Sequence, residues 1–228
     1  MAYERSATTD AKPTIFLQPV AAPSVLGLLG FAGAMFLVAT NLAGWYGQPS
    51  VNAYLFPFAA MFGGLAQLLA GMWGFRARDT LASAMHGMWG SFFLGYGILY
   101  LLVAMGVIGA PTGAVPALGY WWIVLAAVTY TGAFGALGDN MGMFGWLLSL
   151  AVGATLIAIA ELAGFAALTV AGGWVLLLSV LFAWYTGSAL LFEMTHGRTI
   201  LPVGYVGRQR SEHTVVAGIG EPGVIRGQ

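Results

Sequence analysis

The fold is decided by the stretch NMGMFGWLLSLAVGATLIAIAELAGFAALTVAGGWVLLLSVLFAWYTGSALLF, residues 140–192, in which Glu161 is the single charged residue. This stretch is long enough for two bilayer-spanning helices of about 20 residues and a turn. Two similar blocks precede it, because residues 13–75 and 80–138 contain no Lys, Arg, Asp or Glu. The three blocks predict an all-α integral membrane protein with six transmembrane helices in three hairpins.

The composition supports the same class. Hydrophobic residues make up 59% of the chain, charged residues make up 7%, and the mean hydropathy is +0.84. An ordinary soluble domain carries about 25% charged residues. We therefore predict a multi-pass protein of the cell inner (plasma) membrane, with the lipid bilayer as its surroundings.

The positions of the cationic residues predict the orientation. The eight Lys and Arg residues lie within the first twelve residues, at Arg76 and Arg78, and from Arg198 onward. All three places fall on the same side of a six-helix arrangement. By the positive-inside rule this side is the cytoplasm, so both termini are expected there.

The apolar runs set the expected boundaries of the helices. We place the spans at 25–45, 53–75, 81–108, 117–137, 141–163 and 173–194, with short outer loops near 46–52, 110–116 and 164–173. The chain then divides into a cytoplasmic N-terminal segment, 1–21, a transmembrane domain, 22–204, and a flexible cytoplasmic tail, 205–228. The first twenty residues lack the pattern of a cleaved signal peptide.

Several classes of function have no support in the sequence. The net charge is zero, and the basic residues form no patch, so a nucleic-acid partner is not expected. No cysteine is present, and His86, His196 and His213 lack the spacing of a zinc site. No catalytic constellation is recognisable. We predict neither an enzyme nor a bound metal or cofactor.

Three separated motifs give a more specific indication. APSVLGLLGF spans residues 22–31, FGGLAQLLAGMW spans 62–73, and HGRTILPVG spans 196–204. In this order, within six spans, they resemble the signatures of the acetate uptake transporter family, also called succinate-acetate permeases. The resemblance implies a homo-hexamer with one pathway per protomer. It also implies transport of acetate and other small carboxylates such as succinate, coupled to protons.

The chain departs from this family pattern at several positions. The opening motif of the family has Asn where this chain has Ala22 and Pro where it has Val25. Relatives commonly carry Glu at the position of Gly74 and often carry Asn at the position of Glu161. These departures bear on substrate preference more than on the fold.

The resemblance implies a pore constriction at Phe31, Trp89 and Leu150, where Tyr is the usual second residue. These residues lie about six, eight and nine positions from the cytoplasmic starts of their predicted helices, which is about 9–14 Å deep. They can therefore form one ring. An apolar ring gates by dewetting and opposes an ionised carboxylate more than a protonated acid, so we expect acetate to cross with a proton. Ordinary core packing of Phe31 and Leu150 is the alternative.

Polar residues in the spans are candidates for the substrate pathway. Gln67 lies in the small-residue stripe Ala59, Gly63, Gln67 and Gly71, where its amide can donate to a carboxylate. His86 precedes Trp89 by three residues and shares its helix face, so it can relay a proton or attract an anion. Weaker candidates are Asn41, Ser149, Tyr96 and Tyr100.

Other interpretations of these polar residues are open. His86 and Gln67 can instead form hydrogen bonds between helices. Glu161, near the outer end of its span, is a candidate gate when protonated, or it can extend into interfacial water. For the whole chain, the alternatives are a passive anion or small-solute channel of the urea or amide kind, and a sensor or assembly factor without transport activity.

Overall fold

The computed structural model describes residues 21–46 and 51–206, and six helices in these ranges are long and apolar enough to cross a membrane. The second span is built from α2 (Val51–Phe58), a π-helical segment (Ala59–Ala66) and α3 (Gln67–Ala77). The other spans are α1 (Pro23–Leu42), α4 (Thr80–Ala104), α5 (Pro116–Ala136), α6 (Met141–Ala163) and α7 (Ala166–His196). The predicted all-α fold with six spans is confirmed. Most of the predicted terminal segments, residues 1–20 and 207–228, lies outside the described residues.

Polar residues and glycines set the ends of these helices. The Asp79 carboxylate accepts from the Ala82 N–H at the start of α4, and the Asn140 side chain accepts from the Met143 N–H at the start of α6, both at 2.8 Å. Gly164 ends α6 in the left-handed conformation. The start of α1 has no side-chain cap, because Ala22 occupies the position where the family motif has Asn.

The predicted outer loop at 164–173 is wrong. Helix α6 ends at Ala163 and α7 begins at Ala166, so only Gly164 and Phe165 separate them. The glycines that suggested a loop are packing positions inside α7. A Cβ on Gly172 would lie 2.6 Å from Ile157 Cδ1, and Gly173 packs against the backbone of Ala43. The third span is also shorter than predicted, since it ends at Ala104 and not at 108.

The six spans close into a ring around a buried core. Helix α5 packs on α6, α6 on α7, α7 on α1, α1 on the second span, and the second span on α4. The remaining seam, between α4 and α5, has fewer close backbone approaches and is filled by large side chains such as Met85, Trp89 and Trp122. This arrangement directs side chains from several different helices into one interior.

The predicted small-residue stripe on the second span faces the other helices. Ala59, Gly63, Gln67 and Gly71 are all buried. A Cβ on Gly71 would lie 2.6 Å from the backbone nitrogen of Gly87, so the second span and α4 approach nearly to backbone contact. The stripe therefore brings Gln67 against α4.

The segment after α7, residues 198–206, turns back and contacts the start of α6. The N–H groups of Met141 and Gly142 at the start of α6 donate to the carbonyls of Gly204 and Val203, at 2.9 and 3.0 Å. Tyr205 forms an isolated bridge with Asn140. The HGRTILPVG motif thus supplies acceptors for the free donors at the α6 N-terminus.

Candidate functional site

A cluster of fully buried aromatic side chains occupies the interior of the bundle. Phe31 of α1 contacts Trp89 of α4 edge to face, with ring centroids 6.1 Å apart at 86°, and contacts Trp146 of α6 at 5.2 Å and 68°. Leu150 lies one turn beyond Trp146 on α6 and belongs to the same buried cluster. Two of the three predicted constriction residues, Phe31 and Trp89, are thus in direct contact, and the third lies in the same apolar core.

Hydrogen bonds fix the orientation of Trp89. Its Nε1–H donates to Thr129 Oγ1 at 3.0 Å across the α4–α5 seam, and the Thr129 hydroxyl donates to the Leu125 carbonyl at 2.6 Å. A buried indole N–H needs such an acceptor. The indole therefore has one preferred orientation in the core.

The two polar pathway candidates, Gln67 and His86, contact each other beside this aromatic cluster. Gln67 Nε2 donates to the Gly63 carbonyl at 2.8 Å, and its Oε1 lies 3.3 Å from His86 Nδ1. The His86 ring stacks on Trp146, with centroids 5.4 Å apart and planes 23° apart. Its other face lies against Gly27 of α1, where a Cβ would be 2.5 Å from the ring carbons.

Further aromatic residues continue along α4 towards its C-terminal end. Trp89 contacts Phe92 at 5.3 Å, Phe92 contacts Tyr96 at 5.8 Å, and Tyr96 contacts Tyr100 at 4.6 Å. The predicted weaker candidates Tyr96 and Tyr100 therefore belong to a continuous aromatic row that ends at the buried cluster.

Three other candidates form hydrogen bonds with backbone groups. Asn41 Nδ2 donates to the Tyr46 carbonyl at 3.1 Å, beyond the C-terminus of α1. The Ser149 hydroxyl donates to the Gly145 carbonyl of its own helix at 2.6 Å. The Glu161 carboxylate accepts from the N–H of Val115, the residue that precedes α5, at 2.5 Å.

The sequence reasoning missed three residues that belong to the site. Trp146 contacts both Phe31 and His86, and Thr129 holds Trp89. The hydroxyl of Thr186 is buried and has no hydrogen-bond partner among residues 21–46 and 51–206. Trp146 had one available signal, since it precedes Leu150 by four residues and so shares its helix face. The part of the chain that the structure describes contains no group of three His, Cys, Asp or Glu side chains that could hold a metal ion.

Comparison with known proteins identifies the family. A family model described as the GPR1/FUN34/yaaH family matches residues 8–206, which include all three motifs. The chain belongs to the GPR1/FUN34/yaaH family. This confirms the resemblance inferred from the motifs.

Relatives within the GPR1/FUN34/yaaH family are named as transport proteins. The Escherichia coli K12 protein named succinate-acetate/proton symporter SatP is 28% identical over 185 residues, which are 81% of this chain and 96% of the relative. The Saccharomyces cerevisiae protein named ammonia transport outward protein 2 is 29% identical over 171 residues, which are 73% of this chain and 60% of the relative. Neither is named as an enzyme.

A solved structure also matches this GPR1/FUN34/yaaH family member. That structure, described as the bacterial acetate channel SatP, is 27% identical and superposes with a TM-score of 0.75. The match covers 82% of this chain and 100% of the other. Together with the six apolar helices, it confirms a multi-pass membrane protein that is not an enzyme.

Proposed function

We propose that this protein transports acetate, and other carboxylates of similar size, across the membrane together with a proton. The observation that carries the proposal is the buried contact of Phe31, Trp89 and Trp146 beside the His86–Gln67 pair, inside a bundle that matches the whole of a solved acetate channel. An apolar narrowing next to a few polar groups is the arrangement that small-ligand pathways use.

The apolar ring explains why the proton should accompany the acid. Phe31, Trp89 and Leu150 have no exposed surface, so water is excluded from this level of the bundle. An ionised carboxylate loses its hydration there without compensation, whereas acetic acid loses much less. Trp89 is larger than the tyrosine usual in the family, which favours acetate over the longer succinate.

His86 and Gln67 are the groups proposed to meet the acid beside the ring. His86 is fully buried one turn from Trp89 on the same face of α4, and its imidazole is placed to accept a proton from an acid that reaches it. Asn41, Ser149 and Glu161 bond to nearby backbone groups in this structure. We propose that these three act on the shape and stability of the bundle and leave proton transfer to His86.

We further propose that the termini face the cytoplasm and that the protein assembles as a homo-hexamer with a pathway in each protomer. Large apolar side chains cover the outer surface of the second span, including Tyr54, Phe58 and Phe75, which are 74%, 57% and 68% exposed. Such a surface suits contact with lipid and with further copies of the chain.

A passive channel for acetate or a small neutral solute is the second candidate. It is favoured by the solved relative, which is described as an acetate channel, and by the yeast relative named for ammonia. A channel for the acetate anion carries net charge, so the membrane voltage drives its flux. A symport of one acetate with one proton carries no net charge, so the response to voltage separates the two functions.

Acetate uptake into sealed proteoliposomes, with the pH gradient and the voltage imposed separately, tests both proposals. For the symporter we expect acetate accumulation driven by an inward proton gradient at zero voltage, at a rate above that of protein-free vesicles, into which acetic acid diffuses unaided. A voltage-driven acetate current that needs no proton gradient would indicate the channel. No flux of acetate or succinate would contradict the proposed function.

The ring itself is tested by replacing Phe31, Trp89 and Leu150 together with Ala. We expect leakage of ionised acetate and larger acids, and loss of selectivity. The matched control replaces Phe134, Trp184 and Leu181, which are exposed residues on the outside of the bundle. Unchanged uptake and selectivity in the first variant would exclude a gating role for the ring.

A further inference from the structure

Among the side chains that the structure describes, three buried polar atoms have no hydrogen-bond partner: His86 Nε2, Trp146 Nε1 and Thr186 Oγ1. All three side chains are fully buried. An unpaired buried polar group costs about 1–3 kcal/mol, so three of them in one small protein call for a physical reason.

The three atoms come from different helices at a similar depth. His86 stacks on Trp146, with centroids 5.4 Å apart. Gly142, one turn before Trp146 on the same face of α6, faces Thr186, since a Cβ there would lie 2.5 Å from Thr186 Oγ1. Two adjacent residues of α1 lie at the depth of both groups, because Gly27 contacts the His86 ring and Leu28 contacts Gly187, the residue after Thr186.

The Thr186 hydroxyl differs from other buried hydroxyls in the bundle. Thr129, Ser149 and Ser179 each donate to a carbonyl one turn back in their own helices, all at 2.6 Å. This local bond is the usual choice for hydroxyls inside helices. Thr186 does not make it, so its O–H is free for a partner next to α6.

The Gln67 contact determines what His86 Nε2 can do. The Gly63 carbonyl can only accept, so the Gln67 amide nitrogen faces it and Oε1 faces His86. Because Oε1 can only accept, His86 Nδ1 carries the hydrogen. In a neutral imidazole Nε2 is then a hydrogen-bond acceptor.

The surroundings of His86 favour the neutral imidazole. Gly27 of α1, Gln67 of α3 and Trp146 of α6 lie against its ring, and none of them is charged. An imidazolium would be desolvated there without a counterion.

We infer that His86, Trp146 and Thr186 form a binding site that recognises an undissociated carboxylic acid. Its hydroxyl donates to His86 Nε2, and its carbonyl oxygen accepts from Trp146 Nε1–H and the Thr186 hydroxyl. A carboxylate has no hydrogen to donate and would face the lone pair of Nε2. If the proton moves from the acid to Nε2, the pair becomes carboxylate and imidazolium with the same total charge. Return of the proton from Nε2 to the carboxylate oxygen restores the neutral acid, which then leaves with its proton.

This inference rests on the proposed transport of small acids and gives the proton a place in it. The proposed site should recognise a molecule that carries both a hydrogen-bond donor and a hydrogen-bond acceptor, and it should not require a negative charge. Acetamide has that pair at every pH, since its N–H can donate to His86 Nε2 and its carbonyl can accept. Acetone has the same size and carbonyl but no donor, and it is the matched probe.

The first test measures binding of acetamide and acetone to the purified wild-type chain in detergent by ligand-observed NMR. This readout does not depend on transport. We expect acetamide to bind at least about fivefold more tightly than acetone, with the same affinity at pH 6 and pH 8. Equal binding of the two probes would overturn the inference.

The second test uses Trp146→Phe and Thr186→Val, which remove one donor each while largely keeping shape. We expect each to weaken acetamide binding and to raise the KM for acetate by about fivefold, with a smaller effect on kcat. Trp184→Phe and Thr131→Val, exposed positions on α7 and α5, are the controls. If the first pair behaves like the controls, the assignment is wrong. Acetate flux without acetamide discrimination would reject this site alone, whereas absence of flux would reject the proposed function.

Discussion

At the scale of single residues, Thr129 determines how Trp89 is held. Replacing Thr129 with Val keeps the shape of the side chain but leaves the Trp89 N–H without its 3.0 Å acceptor. We expect the free energy of unfolding to fall by about 1–3 kcal/mol, which is the usual cost of a buried unpaired donor. Thermal unfolding of the purified protein measures this loss. Thr131→Val, on the exposed side of the same helix, is the control, and equal unfolding midpoints for the two variants would contradict the prediction.

Asp139, in the loop between α5 and α6, gives a pH-dependent prediction. Partial burial raises the pKa of Asp139, the nearby Asp79 carboxylate raises it further, and the Asn140 amide partly offsets both. Ionisation of Asp139 therefore lowers the free energy of unfolding. This loss appears as the pH rises above about 4, the ordinary pKa of an aspartate. Asp139→Asn should stabilise the protein at pH 7, by less than about 1 kcal/mol because one side of Asp139 is open to solvent.

The check on Asp139 is a series of unfolding midpoints for both proteins between pH 4 and pH 8. The advantage of the variant should shrink as the pH falls, since wild-type Asp139 is then protonated in both states. A constant advantage over the whole range would show that charge is not its cause.

The sequence nominated Gln67 from a motif and His86 from its spacing to Trp89, but it does not show how each helix is rotated about its axis. Gln67 and His86 were chosen separately, and the structure brings them into contact. Trp146 was not chosen, because the sequence does not show which way α6 turns its indole. The hydrogen-bond partner of Glu161, the Val115 N–H, lies 46 positions away in the chain, and no pattern in the sequence indicates that the two residues meet.

At the scale of helices, charge-free blocks predicted the number and order of the spans. The glycines within 164–173, however, led to a wrong prediction for the start of α7. In soluble proteins a glycine cluster such as 164–173 is typical of a loop. In lipid it lets helices approach, as Gly172 does against Ile157. The π-helical segment Ala59–Ala66 was not predicted either, since its widened turn follows Pro57 within the helix and has no clear residue pattern.

Substitutions at Gly90 and Gly95 of α4 distinguish the effect of a close helix–helix approach from the effect of helix propensity. A Cβ on Gly90 would lie 2.6 Å from the Leu68 nitrogen and 3.0 Å from the Gly64 carbonyl oxygen, which are backbone atoms that cannot rotate away. Gly90→Ala must therefore push the second span from α4, and we expect a loss of about 1–3 kcal/mol.

Gly95→Ala, on the same helix, is the matched control because no atom lies within 4 Å of the added carbon. Alanine favours helix over glycine, so this variant should be neutral or slightly more stable. The prediction is tested by measuring the yield of folded protein and the unfolding midpoint of both variants. If Gly90→Ala matched Gly95→Ala, the close approach of the two helices would not contribute to stability.

At the scale of the whole molecule, the proposed pathway lies inside one chain. The contacts of Phe31 with Trp89 and Trp146, and of His86 with Gln67, join α1, α3, α4 and α6 of a single bundle. No second chain is needed to complete them. Each protomer of an oligomer should then transport independently, even where assembly stabilises all of them.

Mixed oligomers test this independence. Wild-type protein is co-expressed with a plugged variant, Leu150→Trp, under different tags, and only assemblies that carry both tags and keep the wild-type size are reconstituted. Because each pathway is closed within its own protomer, we expect the acetate uptake rate to be proportional to the fraction of wild-type chains. Separately reconstituted wild-type and plugged assemblies, mixed as vesicles, give the linear reference. Uptake that falls much more steeply than this reference would show that protomers share or couple their pathways, and would contradict a pathway built from one bundle.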